Sequence, residues 1–345
     1  MTTRPAHAAV SDRLPDHHAL TPPRPNPLLT VMRWELRRSL ANRSTRILAV
    51  LLFAVCVALL GLSLQQTTFD LTSGTGGPGG PTRELMAVVT RNSLFGLTML
   101  LPFTLVEFAL FLPFVTADGV SLDLKRRTHE LLMTTALPTR AYIWGRYFAD
   151  MLIALGMACV YLVALVAVAV TLHLWAGGYY PAINVPGAVV FWAVLVLPPT
   201  ILIGSLCFAL GVLLPHRSTV IKAGAVFGWL CIGLLLQGFT YDKVRNSPGF
   251  AVGNPPAWWR AYETWQPTNT DSGSLFTAQF THHLNAIFKN LSLNQQAMQR
   301  QVETLQGQLP DLNSFMLAHL VWIVFGLAAV AFSSLAFRRF RNVVV

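Results

Sequence analysis

The stretch MLIALGMACVYLVALVAVAVTLHL, residues 151–174, decides what class of protein this is. It contains no Asp, Glu, Lys or Arg, and it exceeds the roughly 20 apolar residues that a helix needs to cross a bilayer core of about 30 Å. The rest of the chain agrees, since 53% of the 345 residues are hydrophobic and only 12% are charged. A soluble domain carries about 25% charged residues. The composition therefore excludes a soluble enzyme, a disordered regulator and a disulfide-stapled secreted domain, and it predicts a membrane protein.

Five other stretches are also long and apolar enough to span a membrane. Together they predict six transmembrane helices, at residues 47–64, 93–117, 151–174, 188–214, 220–238 and 316–336. The predicted fold class is an all-α polytopic membrane protein whose fourth span is kinked at Pro198-Pro199. Residues 1–25 are polar and rich in proline, so they are expected to form a disordered tail with no cleavable signal peptide.

Lysine and arginine are distributed unevenly between alternate loops. Eighteen of the 25 lie in residues 1–46, in the loop 118–150, at Arg217 and Lys222 and in the tail that ends the segment 316–345. Basic loops stay in the cytoplasm, so both termini are predicted to be cytoplasmic. The net charge of +10 then follows from topology and from attraction to anionic lipid headgroups, and it does not predict a nucleic-acid partner. The four cysteines lie in predicted spans, without metal-ligand spacing.

Residues 26–46 are predicted to form an amphipathic helix at the membrane surface. Asn26-Pro27 is typical of a helix start with proline in the first turn. Apolar side chains follow on one face at helical spacing, and Arg33, Arg37 and Arg38 lie largely on another. Two hypotheses are open at this point: a surface anchor, or an elbow helix that also touches a cytoplasmic partner.

The cytoplasmic loop 118–150, between spans two and three, combines charges with adjacent leucines. Thr139 is placed to cap the helix that enters span three, and Arg146 and Asp150 lie four residues apart, where they can pair. Apolar anchors flanked by charges are what a docking helix needs. The candidate docking residues are Asp123, Arg126, Arg127, Thr128, His129, Glu130, Leu131, Leu132, Thr134 and Thr135.

The run from Thr128 to Leu137, followed by Arg140 and Gly145-Arg146, resembles the intracellular loop of type-2 ATP-binding-cassette (ABC) permeases. That family's pattern is roughly Gly-Thr-x-Glu-Leu-Leu-x-Thr-x-Pro-Leu, a Ser/Arg-rich turn and then Gly-Lys before the third span. Here Arg127, Ala136 and Arg146 stand in place of Gly, Pro and Lys. The resemblance implies that residues 123–137 are the coupling helix that docks on an ATPase subunit. It also implies that two permease subunits, identical or homologous, pair with two ATPase subunits.

The sequence contains no Gly-x-x-x-x-Gly-Lys-Ser/Thr phosphate loop. We therefore expect no enzyme activity and no cofactor in this chain, with ATP and Mg²⁺ bound by the partner ATPase. A zinc protease is disfavoured because Met133 stands where the motif that begins at His129-Glu130 needs a second histidine. The resemblance therefore implies the permease subunit of an ABC transporter, an exporter in a prokaryotic plasma (inner) membrane. The alternative is a non-transporting scaffold or sensor that uses a partner ATPase mechanically.

Three other features each leave two interpretations open. The outer segment 239–315 is predicted to be a helical cap, either a lid over an exit path or a packed stub. Glu107, in the middle of span two, belongs either to a translocation path or subunit seam, or to a structural hydrogen bond between helices. Gly224 and Gly228 form a Gly-x-x-x-Gly pair, which brings helices close together either at a dimer seam or within one subunit.

Overall fold

The fold is that of a computed structural model, which describes residues 26–70, 110–118, 120, 138–176, 182–231 and 313–341 and a few single positions between 257 and 304. All secondary structure in these ranges is helical. The helices are α1 (Pro27–Ala41), α2 (Arg43–Asp70), α3 (Thr139–Ala176), α4 (Val185–Leu195), α5 (Leu197–Leu213), α6 (Ser218–Leu230) and α7 (Asn313–Arg341). A short helical segment also covers residues 110–116, and a single 3₁₀ turn, Pro215–Arg217, precedes α6.

Three helical runs among the described residues are long and apolar enough to cross a membrane. They are Thr139–Trp175, Val185–Leu213 and Met316–Phe337, and the bent pair α1 and α2 adds a fourth if it is counted as one span. The all-helical, membrane-spanning character predicted from the sequence is therefore confirmed. Most of the predicted span 93–117 and the end of span 220–238 lie outside the described residues, so the total of six spans stays a prediction.

The N-terminal helix begins where the sequence predicts. The side chain of Asn26 accepts a hydrogen bond from the backbone N–H of Leu28 at 3.1 Å, and Pro27 occupies the first turn. At Asn42 the backbone becomes extended, and α2 leaves at an angle of 67° to α1. Because of this bend at Asn42, α1 runs at a steep angle to α2.

The fourth predicted span is interrupted just before its two prolines. Helix α4 ends at Leu195, and α5 begins at Leu197 with Pro198 in its first turn. Proline is tolerated there because the first N–H groups of a helix have no intrahelical partner. The break thus has the cause that the sequence predicts, and the run continues to Leu213.

Helix α3 is at the centre of the described bundle, and α1, α2 and α5 pack against it. Its Tyr147 hydroxyl lies 2.8 Å from Ser205 Oγ of α5, and its Ala158 carbonyl accepts a hydrogen bond from Trp192 Nε1 of α4 at 2.9 Å. Helix α7 packs most extensively on α5, where Gly326 lets its backbone approach Ser205. This packing fixes the first turns of α3 beside α1.

Candidate functional site

Six charged side chains from α1, α3, α6 and the residue Asp118 lie close together near the joint between α1 and α2. We call this set the charged junction: Glu35, Arg38, Asp118, Arg146, Asp150 and Lys222. The charged junction lies on both sides of the predicted docking segment in the sequence. Asp118 precedes that segment, and Arg146 and Asp150 follow it on α3.

The centre of the charged junction is an ion pair between α1 and α3. Arg146 is 0% exposed and Glu35 only 4% exposed, and Arg146 Nη2 donates to Glu35 Oε2 at 3.0 Å. Arg38, one turn further along α1, contacts the same carboxylate oxygen at 3.5 Å. The guanidinium of Arg146 also lies over the ring of Tyr142, 5.2 Å from the ring centroid. A buried charge is tolerated only when it is paired in this way, so the pair joins α1 firmly to α3.

Gly145 allows the two helices to come close enough for this pair. A Cβ atom at Gly145 would lie 2.9 Å from the Cβ and Cγ1 atoms of Val31 and 3.0 Å from the Leu28 carbonyl oxygen. Side chains essentially never pack at such distances. The dipeptide Gly145-Arg146 therefore has two structural roles: the glycine admits α1, and the arginine binds its buried carboxylate.

Asp150, one turn after Arg146 on α3, is the second buried carboxylate of the charged junction. It is only 4% exposed, and its Oδ2 atom has no hydrogen-bond partner in the described part of the chain. Burial disfavours the charged form of this carboxyl most strongly, the charges of Glu35 and Asp118 disfavour it as well, and those of Arg146 and Arg38 favour it. A buried carboxylate oxygen with no donor is costly, and such an atom calls for a partner that can enter the site.

A second ion pair connects the end of the segment 110–118 to α6. The ammonium group of Lys222 pairs with the carboxylate of Asp118, and it lies 5.2 Å from the centroid of the Phe114 ring. Both side chains are partly exposed. Close by, a Cβ at Gly211 of α5 would lie 2.6 Å from the Ala117 carbonyl oxygen, so α5 also contacts this end of the segment.

A cavity of about 410 Å³ opens between these two ion pairs. We call it the junction cavity. Its wall combines charged side chains with hydroxyl and amide groups from the joint between α1 and α2, and with a few apolar side chains. The lining residues are Glu35, Arg38, Ser39, Asn42, Ser44, Thr45, Leu48, Phe114, Val115, Asp118, Asp150, Ile153 and Lys222. No group of three or more His, Cys, Asp or Glu side chains in the described ranges is placed to hold a metal ion.

The residues predicted from the sequence fall into two groups. The docking residues between Asp123 and Thr135, and Glu107, lie outside the described residues. Gly224 and Gly228 lie on α6, where a Cβ at either position would meet no described atom within 4 Å. Of the cysteines, Cys56 and Cys207 are buried, Cys159 is exposed and Cys231 is partly buried.

Neither the buried position of Glu35 nor the junction cavity was predicted from the sequence. Glu35 is the only acidic residue between positions 26 and 46, in a segment rich in arginine. A lone carboxylate on an otherwise basic helix is the signal that could have indicated a buried partner. The partner itself, Arg146, lies 111 positions away, and only the tertiary fold brings it close.

Comparison of the chain with known protein families finds no match, and comparison with curated proteins finds no similar sequence.

Proposed function

We propose that this chain is the permease subunit of an ABC transporter, an exporter in a prokaryotic plasma membrane, driven by a separate ATPase that docks on residues 123–137. The observation that carries the proposal is the set of contacts that Gly145 and Arg146 make with α1. In the resembled pattern this dipeptide position follows the coupling loop. Here the glycine admits α1 and the arginine forms the buried ion pair with Glu35.

The proposed docking segment is held at both ends by described contacts. On one side, Asp118 is paired with Lys222 of α6. On the other, α3 begins at Thr139 and is joined to α1 by the pair between Arg146 and Glu35. A force applied to the loop would therefore reach α1, α3 and α6 together. Packed, ion-paired helices move as bodies, and such a loop can convert ATPase closure into rearrangement of the bundle.

The proposal also specifies partners. ATP and Mg²⁺ belong to the ATPase subunit, and this chain needs no cofactor of its own. A second permease subunit, identical or homologous, completes the assembly, and the face of α6 that carries Gly224 and Gly228 is our candidate for the seam. That face is open in the described structure, as an intersubunit contact requires. We assign Glu107 to the translocation path or to this seam.

The test is a double substitution in the docking segment, Glu130→Arg with Leu131→Asp. It reverses one charge and places another in an apolar groove of the ATPase, so we expect it to abolish recovery of the ATPase in a pull-down with tagged permease. Since neither residue lies in a predicted span, the amount of protein in the membrane should be unchanged.

The matched control is Glu130→Asp with Leu131→Ile, which keeps the charge and the apolar character at the same two positions. It should recover the ATPase as well as the unmodified chain does. Normal recovery by the charge-reversed protein would show that residues 123–137 do not form the coupling element. ATPase activity that depends on assembly with another protein, and not on a transported substrate, would instead favour the scaffold or sensor.

A further inference from the structure

The junction cavity is lined by polar and charged groups that the proposed coupling function does not require. Among the described residues, its wall includes one buried carboxylate oxygen without a hydrogen-bond donor, Asp150 Oδ2. The other two carboxylates of its wall are already neutralised, Glu35 by Arg146 and Arg38, and Asp118 by Lys222. The vacant acceptor therefore specifies a ligand group that carries N–H donors and a positive charge.

The wall also carries groups that a phosphate can contact, and each of its two cations is shared with a carboxylate. Arg38 and Lys222 line the cavity, and Ser39, Ser44 and Thr45 supply hydroxyl groups beside them. Ser44 and Thr45 lie in the first turn of α2, a helix of 28 residues, whose N-terminal end carries a partial positive charge. A phosphate group placed here would meet hydroxyl donors and the two cations.

Among the described residues, the charged junction balances three carboxylates against three cations, counting Arg146, which pairs with Glu35 but does not line the cavity. A ligand with a net charge would leave an uncompensated charge in this partly buried cavity, which is costly, whereas a zwitterion would not. The volume of about 410 Å³ lies within the range of roughly 300–1,000 Å³ that is usual for small-molecule sites. Leu48, Phe114 and Ile153 offer contacts to the carbon atoms between the two charged groups.

The surroundings of the cavity indicate where such a zwitterion comes from. Trp34 and Leu40 of α1 and Ile47 and Val50 of α2 are exposed apolar side chains on the two helices that meet at the joint. Amphipathic and apolar helix faces of this kind lie against lipid. We propose that the junction cavity binds the phosphoethanolamine headgroup of a membrane phospholipid, with the ammonium on Asp150 and the phosphate toward Arg38, Lys222 and the first turn of α2.

The experiment uses the purified full-length chain, stripped of lipid in detergent and mixed with phospholipids of identical acyl chains. Native mass spectrometry then measures retained phosphatidylethanolamine, phosphatidylcholine and phosphatidylglycerol. We expect at least about tenfold preference for phosphatidylethanolamine, because the trimethylammonium of choline has no N–H for Asp150 and glycerol has no cation. Equal retention of the three lipids by the unmodified protein would overturn the proposal.

Asp150→Asn should remove this preference, since it deletes the charge with little change of shape. Thr171→Ala is the control on the same helix, 21 positions and about 32 Å further along, and it should retain the preference. An undiminished preference in Asp150→Asn would place the lipid elsewhere and overturn the assignment. Should Asp150→Asn not fold, the comparison of lipids on the unmodified protein still decides the proposal.

A competition with free O-phosphoethanolamine distinguishes the two sources of the headgroup. Displacement of the lipid only at concentrations far above that of the lipid supports a membrane source, since the acyl chains then contribute to binding. Displacement at comparable concentrations supports the same site with a soluble ligand. This test does not depend on the ATPase, so its outcome is independent of the docking experiment.

Discussion

At the scale of single residues, the two partners of the buried ion pair are not equivalent. Removing Arg146 leaves the carboxylates of Glu35 and Asp150 in a buried place without their common cation. Removing the charge of Glu35 leaves Arg146 one turn from Asp150, which can take over as its partner. We therefore expect Arg146→Met to lower the free energy of unfolding by about 3–5 kcal/mol and Glu35→Gln by roughly 1–3 kcal/mol.

The order of these two values is the quantity to measure. Unfolding of the purified protein in mixed micelles with increasing dodecyl sulfate gives both from one type of titration. A cost for Glu35→Gln that equals or exceeds the cost for Arg146→Met would show that Asp150 does not take over as the partner of Arg146 when Glu35 loses its charge.

Local chemistry was predictable from the sequence at this scale, and distant pairing was not. The cap at Asn26 depends on residues two positions apart, and it is present as predicted. The spacing of Arg146 and Asp150 predicted that these two residues can pair, but the carboxylate that accepts from Arg146 Nη2 is Glu35 of α1. That contact depends on how the helices pack, which residue spacing within one helix does not encode.

At the scale of helices, the contact between α1 and α3 depends on one missing side chain. Gly145→Ala would place a methyl group against Val31 and the Leu28 carbonyl and force α1 away from α3. Overpacking of this kind typically costs about 1–3 kcal/mol. Gly156, on the same helix, has no described atom within 4 Å of its Cβ position. Gly156→Ala should therefore be neutral or stabilising by up to about 1 kcal/mol, since alanine favours helix more than glycine does.

The same dodecyl sulfate titration compares the free energies of unfolding of the two glycine variants. The ATPase pull-down shows whether docking requires α1 to be packed against α3. We expect Gly145→Ala to lower both stability and ATPase recovery, and Gly156→Ala to leave recovery unchanged. Equal effects of the two substitutions would mean that the close approach of α1 to α3 contributes nothing measurable.

The positions of strongly apolar helices could be predicted from the sequence, whereas the bend between α1 and α2 could not. The runs 151–174 and 316–336 lie within the membrane-spanning helices Thr139–Trp175 and Met316–Phe337. The position and angle of the 67° turn at Asn42 were not predicted, although Asn42 and Ser44 are residues typical of helix ends. Asn42 ends α1, and its side chain accepts a hydrogen bond from the Ser44 N–H of α2 at 3.1 Å, while the contacts of α1 with α3 include the pair between Glu35 and Arg146.

At the scale of the whole molecule, the membrane character follows from composition, whereas the orientation depends on where the charges lie. The 53% of hydrophobic residues predicts a membrane protein, and several described helices are long and apolar enough to span a bilayer. The uneven distribution of lysine and arginine goes further and predicts that the loop 118–150 is cytoplasmic. The ATPase proposal depends on that side, because nucleotide-driven docking needs the cytoplasmic face.

The last prediction tests this orientation directly. Single cysteines at Ser73, Ser121 and Ser274 are introduced after the four native cysteines have been replaced, and intact cells are treated with a membrane-impermeant maleimide. Because Ser73 and Ser274 lie in loops poor in lysine and arginine, we expect both to be labelled from outside. The position Ser121, which begins the basic loop, should react only after the membrane is permeabilised, and that second reaction is the control for its accessibility. Labelling of Ser121→Cys in intact cells would invert the topology, and residues 123–137 could then not meet a cytoplasmic ATPase.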